Sequence, residues 1–255
     1  MKKQILILLS IALTTPFILG AAQTTPSALD KDTTAKALWD SWYTVSIGGK
    51  IPFGYYNDRV EKKDGKFAFK NQFWKKEEGF INEERIVAFG KDEPNLPGLL
   101  FVFNETFRNS ELTLDGSVSD QGELTVKVRE KGKPDDVIRR SMGKNAFFST
   151  LFPVWLGKHL DEIRKGKNVY FSSILEDNLE RKFAAVPGHA HLETPDAFTK
   201  KSGTEKILVD FNDKINYWYI QPSGEPIRIE MPDQKVIVEK TTESLARKFL
   251  IPHEE

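Results

Sequence analysis

Apolar and polar residues alternate along most of this chain with the period of two expected of half-buried β-strands. Past Trp39, Tyr43, Val45 and Ile47 fall on one face, and Trp42, Thr44 and Ser46 on the other. Gly48-Gly49 offers a two-residue hairpin turn, after which Ile51, Phe53 and Tyr55 resume the period. The alternation continues through Phe67, Phe69, Asn71 and Phe73 after an Asp64-Gly65 turn, then through 81–89. Leu99, Phe101, Phe103 and Phe107 share the next face, with Glu105 among them. Leu112 and Leu114, then Leu124, Val126 and Val128, predict two more strands. This is the pattern of an antiparallel meander with one buried face.

One stretch has a different period. Asn145 can cap a turn through Phe147, Phe148, Leu151 and Phe152, and Pro153 suits the first turn of a helix. Trp155, Leu156, His159, Leu160 and Ile163 follow at helical spacing, and Gly166 supplies a stop. The first half of 147–163 is apolar on more than one face, which suits a helix plugging a sheet. Strands resume at 169–175, 181–186, 189–193, 206–211, 216–220, 227–231 and 235–239, and a short amphipathic helix is predicted at 243–249. The expected fold is all-β with accessory helices: a single curved antiparallel sheet of about eleven strands, a half-barrel or open barrel, wrapping one apolar helix. No internal repeat recurs and no linker divides the chain, so 37–250 is read as one domain.

The N-terminus changes the picture from fold to location. Lys2 and Lys3 precede an apolar run at 5–13, and Gly20-Ala21-Ala22 presents small residues at a cleavage position. Residues 1–22 therefore read as a secretory signal peptide cut after Ala22. The run is shorter than the ~20 apolar residues of a spanning helix. Residues 23–36 form a polar leader, with a short helix expected at 33–38. The protein is thus expected to be periplasmic or otherwise secreted. With no cysteine anywhere, it carries no disulfide, thiol nucleophile or N-terminal lipid attachment, and its core must stabilise it. The 37 basic and 37 acidic residues balance, which argues against nucleic acid as a partner.

Candidate chemistry is sparse. His189, His191 and Glu193 sit two apart, so a strand projects all three to one side as a possible shell for a divalent metal. A solvated strand face is the default reading of them, with Pro187-Gly188 read as a surface turn, and Asp196 becomes a fourth ligand only if its loop folds back. Glu176-Asp177 reads as a polar turn whose adjacent acids point to opposite faces, and His159 as an edge residue of the helix. Nucleophile elbows, phosphate loops and HExxH helices are absent from the sequence. Eighteen Phe, five Trp and six Tyr remain the main feature. Trp42, Phe53, Tyr55, Phe69, Phe101, Phe103, Trp155 and Trp218 are the residues expected to line a pocket, the alternative being a filled core.

Two stretches resemble those of a known group. The segment from Trp42 to Tyr55, with Trp42-Tyr43, Val45, Gly49 and Gly54-Tyr55, is similar to the opening hairpin of β-rich domains in poorly characterised bacterial envelope proteins. Trp218-Tyr219-Ile220 with Gly224-Glu225-Pro226-Ile227-Arg228-Ile229 resembles their closing strands. Their layout is similar to the LolA-like half-barrel of the lipoprotein-localisation carriers, in which a curved sheet wraps helices and holds acyl chains. The resemblance implies that architecture and lipid handling, and neither motif contains a functional residue to transfer. The expectation is an exported, non-catalytic protein that binds an apolar small molecule or lipidated protein in a sheet–helix cavity, without a resident cofactor and with peripheral membrane contact. The rivals are a structural or interaction module of the envelope and a metal-dependent hydrolase at His189 and His191.

Overall fold

A computed structural model describes residues 36–143 and 145–251. The signal-peptide assignment, and the leader and its expected helix up to residue 35, lie outside the described residues. Fifteen strands join in one large open sheet. The first eight are β1 (Lys36–Ile47), β2 (Ile51–Lys63), β3 (Lys66–Glu77), β4 (Phe80–Lys91), β5 (Gly98–Phe107), β6 (Ser110–Val118), β7 (Glu123–Glu130) and β8 (Asp136–Ser141). The others are β9 (Ala146–Phe148), β10 (Val169–Ile174), β11 (Ala185–Leu192), β12 (Glu205–Phe211), β13 (Lys214–Ile220), β14 (Pro226–Met231) and β15 (Val236–Thr241). Among the described residues there are also three α-helices: α1 (Phe152–Arg164), α2 (Ala197–Ser202) and α3 (Glu243–Lys248).

The sheet order is β8-β7-β6-β5-β4-β3-β2-β1-β15-β14-β13-β12-β11-β10-β9. Each half is a meander of sequence neighbours, and the two meet where β1 pairs antiparallel with β15, Val45 opposite Val238. Only β9 runs parallel to its neighbour, β10. Tight turns set the registers. Asp64 and Gly65, like Asn212 and Asp213, have positive φ in two-residue loops, the backbone that matches the twist of adjoining strands.

The inward face follows the alternation. In β3, Phe67, Phe69, Asn71, Phe73 and Lys75 point in, and the residues between them are less buried. In β6 the inward position after Leu114 is Gly116, where a side chain would overlap the Phe101 ring from β5. Strands of both halves face one interior. The first half is filled by the loop between β10 and β11, which presses Phe183 against Phe101 and accepts a hydrogen bond at the Lys182 carbonyl from Arg140 of β8. In α1, Phe152, Pro153, Val154, Trp155, Leu156, His159, Leu160 and Ile163 are buried. Lys158 reaches from α1 to Asp92 at 2.5 Å, and His159 Nε2 lies 3.1 Å from the Pro94 carbonyl, which ties the helix to the first half. None of these helices is long and apolar enough to cross a membrane.

Several expectations are corrected. The sheet has fifteen strands and not about eleven. β8 is not among the expected strands: its inward positions carry little apolar signal, and it is exposed apart from half-buried Ile138. Residues 146–148, expected to lead into the helix, form β9, and with Ala146, Phe147 and Phe148 all buried they show no alternation. Residues 36–38 extend β1 against β2 and are not helical. The Gly48 turn has three residues, since Ile47 pairs with Ile51 beside a bulge at Val45/Ser46. Pro187-Gly188 is not a turn but the middle of β11. Pro187 pairs only with β10, before the β12 ladder starts at Gly188, so its missing N–H removes no bond to β12.

Candidate functional site

A slot of about 60 Å³ opens between the sheet and the start of α1. Tyr56, Phe69, Ile86 and Phe103 come to it from β2 to β5, and Trp218, Ile229 and Met231 from β13 and β14. Ser149, Thr150 and Pro153 close the helix side. Into these mostly apolar walls project Asp58, Asn71, Glu84 and Asp177. The slot is therefore an aromatic chamber with acids in its lining.

Strand parity puts those acids there. Asp58 follows Tyr56 on the inward side of β2, and Asn71 opposes it across the β2–β3 ladder. The Asn71 side-chain amide donates to Asp58 Oδ1 at 2.6 Å. Burial lifts the Asp58 carboxyl from 3.8 to about 7; the Asn71 hydrogen bond works against the rise and the negative charge of Glu225 adds to it. Glu225 is itself held by the Ser41 hydroxyl and by Lys240 at 2.6 Å. Tyr43 and Tyr56 stack at 4.7 Å beside Asp58, and burial first and then that carboxylate raise both phenols well above their ordinary value.

Glu84 belongs to a second cluster. Lys75 Nζ, on a residue 1% exposed, donates to Glu84 at 2.5 Å and lies 3.8 Å from Glu77 and 4.0 Å from Glu105. Burial disfavours the ammonium, but the three acids outweigh it and keep Lys75 protonated beyond the ordinary lysine range. Burial pushes Glu84 up to about 8 against the pull of Lys75, with Glu105 and Asp177 adding to the rise. Asn82 tightens the group by donating to Glu105 at 2.7 Å and Glu77 at 3.1 Å. Next to the slot, Glu176 accepts from the Ser149 hydroxyl at 2.5 Å and the Thr150 N–H at 3.0 Å, and its burial raises its pKa. Glu176 thus fastens the chain just ahead of α1.

The eight aromatic residues expected at a pocket separate into three groups. Phe69, Phe103 and Trp218 line the slot. Phe101, Trp155 and Phe53 belong to packing. Phe101 meets Phe148 edge-on at 5.1 Å, Trp155 stacks on Phe147 and Phe152 at 5.7 Å each, and half-buried Phe53 leans on Phe73 at 6.3 Å. Trp42 and Tyr55 stand on the opposite face of the sheet. There they stack on Trp74 at 6.0 and 5.0 Å, and Arg247 of α3 lies 4.7 Å over Trp42.

His189 and His191 do share a face, their rings stacked at 5.7 Å. Their neighbours are carboxylates: His191 Nε2 is 3.2 Å from Glu193, and His189 Nδ1 is 3.9 Å from Asp210. Asp196, weighed as a fourth ligand, instead caps α2 by accepting from the Thr199 N–H, and is also bound by Lys206 and Tyr219. Among the described residues no group of three or more His, Asp or Glu is arranged to hold a metal.

Sequence reasoning missed the slot's acids. Asn71 and Glu105 were visible as polar residues on apolar faces, and Lys75 continues the face of Phe73. Asp58 carries no such signal, because it lies with Tyr56 and Val60 on the parity of β2 opposite to Phe53 and Tyr55, the face expected to be inward. Glu176 and Asp177, read as a solvated turn, are buried; the apolar strand running directly into them was the clue. No protein-family model, curated protein or solved structure matches the chain.

Proposed function

We propose that this chain is an exported, non-catalytic binding protein of the cell envelope, whose half-barrel receives an amphipathic group in the slot between sheet and α1. The observation that carries the reading is the convergence of apolar walls from both halves of the sheet on buried acids within one cavity. A packed core has no use for ionisable groups facing a void, since burying a carboxyl without compensation is costly. A volume of about 60 Å³ admits a head group or a chain end. A whole acyl chain of a lipidated partner enters only if the segment from Ser149 into α1 shifts outward. Protein purified from its native envelope and analysed by solvent extraction and mass spectrometry is expected to release a bound amphiphile. Protein that is consistently empty and takes up no fluorescent amphiphile refutes the reading.

A second reading has its own support. Carboxyls that titrate near neutrality inside a cleft are a mark of general acid–base catalysis, and both Asp58 and Glu84 have that property. The two stand on β2 and β4 with β3 between them, too far apart to share one proton, so each would act alone. Turnover of ester or glycoside substrates that is abolished by Asp58→Asn would establish catalysis over simple binding.

A further inference from the structure

In a meander, alternate turns lie at the same end of the sheet. The turns after β1, β3 and β5 therefore share one rim, and those after β2, β4 and β6 the other. The first rim displays apolar side chains to solvent: Ile51 is 63% exposed, Phe80 54% and Ile81 51%, each within the first two residues after a turn. Half-buried Phe107 stands at the third tip, and the Arg108 guanidinium lies 4.4 Å from the Phe80 ring and 5.0 Å from that of Phe107. The turns of the opposite rim, 64–65, 92–97 and 119–122, carry no exposed large apolar residue. Exposed apolar residues scattered singly are ordinary, but a row of them on neighbouring tips marks a contact surface.

The charges on the same tips point to the partner. Glu77 is held by Lys75 at 3.8 Å and by Asn82 at 3.1 Å, and Glu78 by Arg108 at 2.9 Å. Lys50 and Lys76 are exposed and form no ion pair among the described residues, so the charge left over on these tips is basic. Separate tips leave gaps that a rigid partner would have to fill, whereas a fluid head-group layer fills them. A second copy presenting the same tips would set lysine against lysine. Apolar side chains flanked by lysines suit the boundary of an anionic bilayer, where carbon sinks among the acyl roots and ammonium groups meet phosphates. We propose that this rim docks the protein on an anionic lipid surface, with Ile51, Phe80 and Ile81 inserted and Lys50 and Lys76 on the lipid phosphates. Docking of this kind needs nothing from the slot, so it stands or falls apart from the binding role.

Cosedimentation of the exported chain, without residues 1–22, tests this with sucrose-loaded vesicles of equal parts phosphatidylglycerol and phosphatidylcholine, against phosphatidylcholine alone. The chain is expected to bind the anionic vesicles at least about tenfold more tightly than the neutral ones, and to lose most of that preference in about 0.5 M NaCl. Lys50→Gln with Lys76→Gln should weaken binding to the anionic vesicles about twentyfold, at about fivefold per lysine. Phe80→Ser with Ile81→Ser should weaken it about tenfold, and Ile51→Ser alone about fivefold. Leu245→Ser, which alters an exposed apolar residue of α3 beyond the far end of β15, should leave it unchanged. Circular dichroism establishes that each variant is folded. Absence of binding to anionic vesicles, or binding indifferent to the lysine and apolar substitutions, overturns the proposal, as does an equal loss with Leu245→Ser. A dimer in analytical ultracentrifugation that Phe80→Ser with Ile81→Ser dissolves, in place of vesicle binding, overturns it in favour of a second copy.

Discussion

Replacing Asp58 by Asn tests the electrostatics of the slot through stability alone. In the folded chain this carboxyl holds its proton to about pH 7, against an ordinary value of 3.8. Between those values the folded state binds more protons than the unfolded state, so stability falls as pH rises through the window and is flat above it. At ~1.4 kcal/mol per pH unit, the penalty of an ionised Asp58 reaches about 4 kcal/mol above pH 7. Roughly 2 to 3 kcal/mol of it accrues between pH 5 and pH 8. The groups facing the carboxyl are the Asn71 amide, Glu225 backed by Lys240, and the phenols of Tyr43 and Tyr56. No cation is among its first neighbours, which is why the penalty persists. An amide accepts the Asn71 hydrogen bond equally well and has nothing to ionise. Urea denaturation at pH 5 and pH 8 is the assay. Glu84 titrates in the same direction and remains in the variant, so the quantity to follow is the difference between variant and parent. D58N should gain about 2 to 3 kcal/mol on the parent between pH 5 and pH 8, with an unchanged denaturant slope. An equal difference at the two pH values, or a variant weakened more at pH 8, would refute the reasoning and mean that Asp58 is ionised and paired in the fold.

Three further substitutions probe separate parts of the molecule. Lys75→Met removes the cation shared by Glu84, Glu105 and Glu77 and should cost about 3–5 kcal/mol at pH 8 and less at pH 5, where Glu84 holds its proton; urea midpoints at both pH values check it. Gly116→Ala forces a methyl group into the Phe101 ring and should cost ~1–3 kcal/mol in the same assay, since Phe101 is locked between Phe148 and Phe183. Arg247→Ala uncovers Trp42 and Trp74 and should cost only ~0.5–1 kcal/mol while shifting tryptophan emission to the red; unchanged emission would mean that α3 does not cover these rings in solution.

Most strands were legible because their inward residues are apolar and their outward ones polar, so that burial and period coincide. Legibility failed where that coupling breaks. β8 has little to bury, and β9 is buried on both sides, so neither shows a period of two. Pro187 reads as a turn until its position ahead of the β12 ladder is known. The site was less legible than the fold for a related reason. Parity assigns residues to faces without saying which face is inside, and it placed Trp42 and Tyr55 with the interior aromatics when Arg247 covers them outside. The acids were hidden because a polar residue within an alternating strand usually signals solvent. Only the strands on either side show Asp58 and Glu84 turned inward.

The seam between β1 and β15 bears on how the chain comes into being. Every other antiparallel pairing joins strands adjacent in sequence, whereas this one brings Thr44 to Glu239, 195 positions apart. During synthesis the first strand emerges with one edge satisfied by β2 and the other bare until nearly the whole polypeptide has followed. That bare edge lies at the middle of the finished sheet, so it lacks the charged or shortened design by which permanent sheet edges avoid foreign strands. Maturation thus includes a long interval in which a sticky ribbon must be shielded, and the final strand to arrive acts as the fastener.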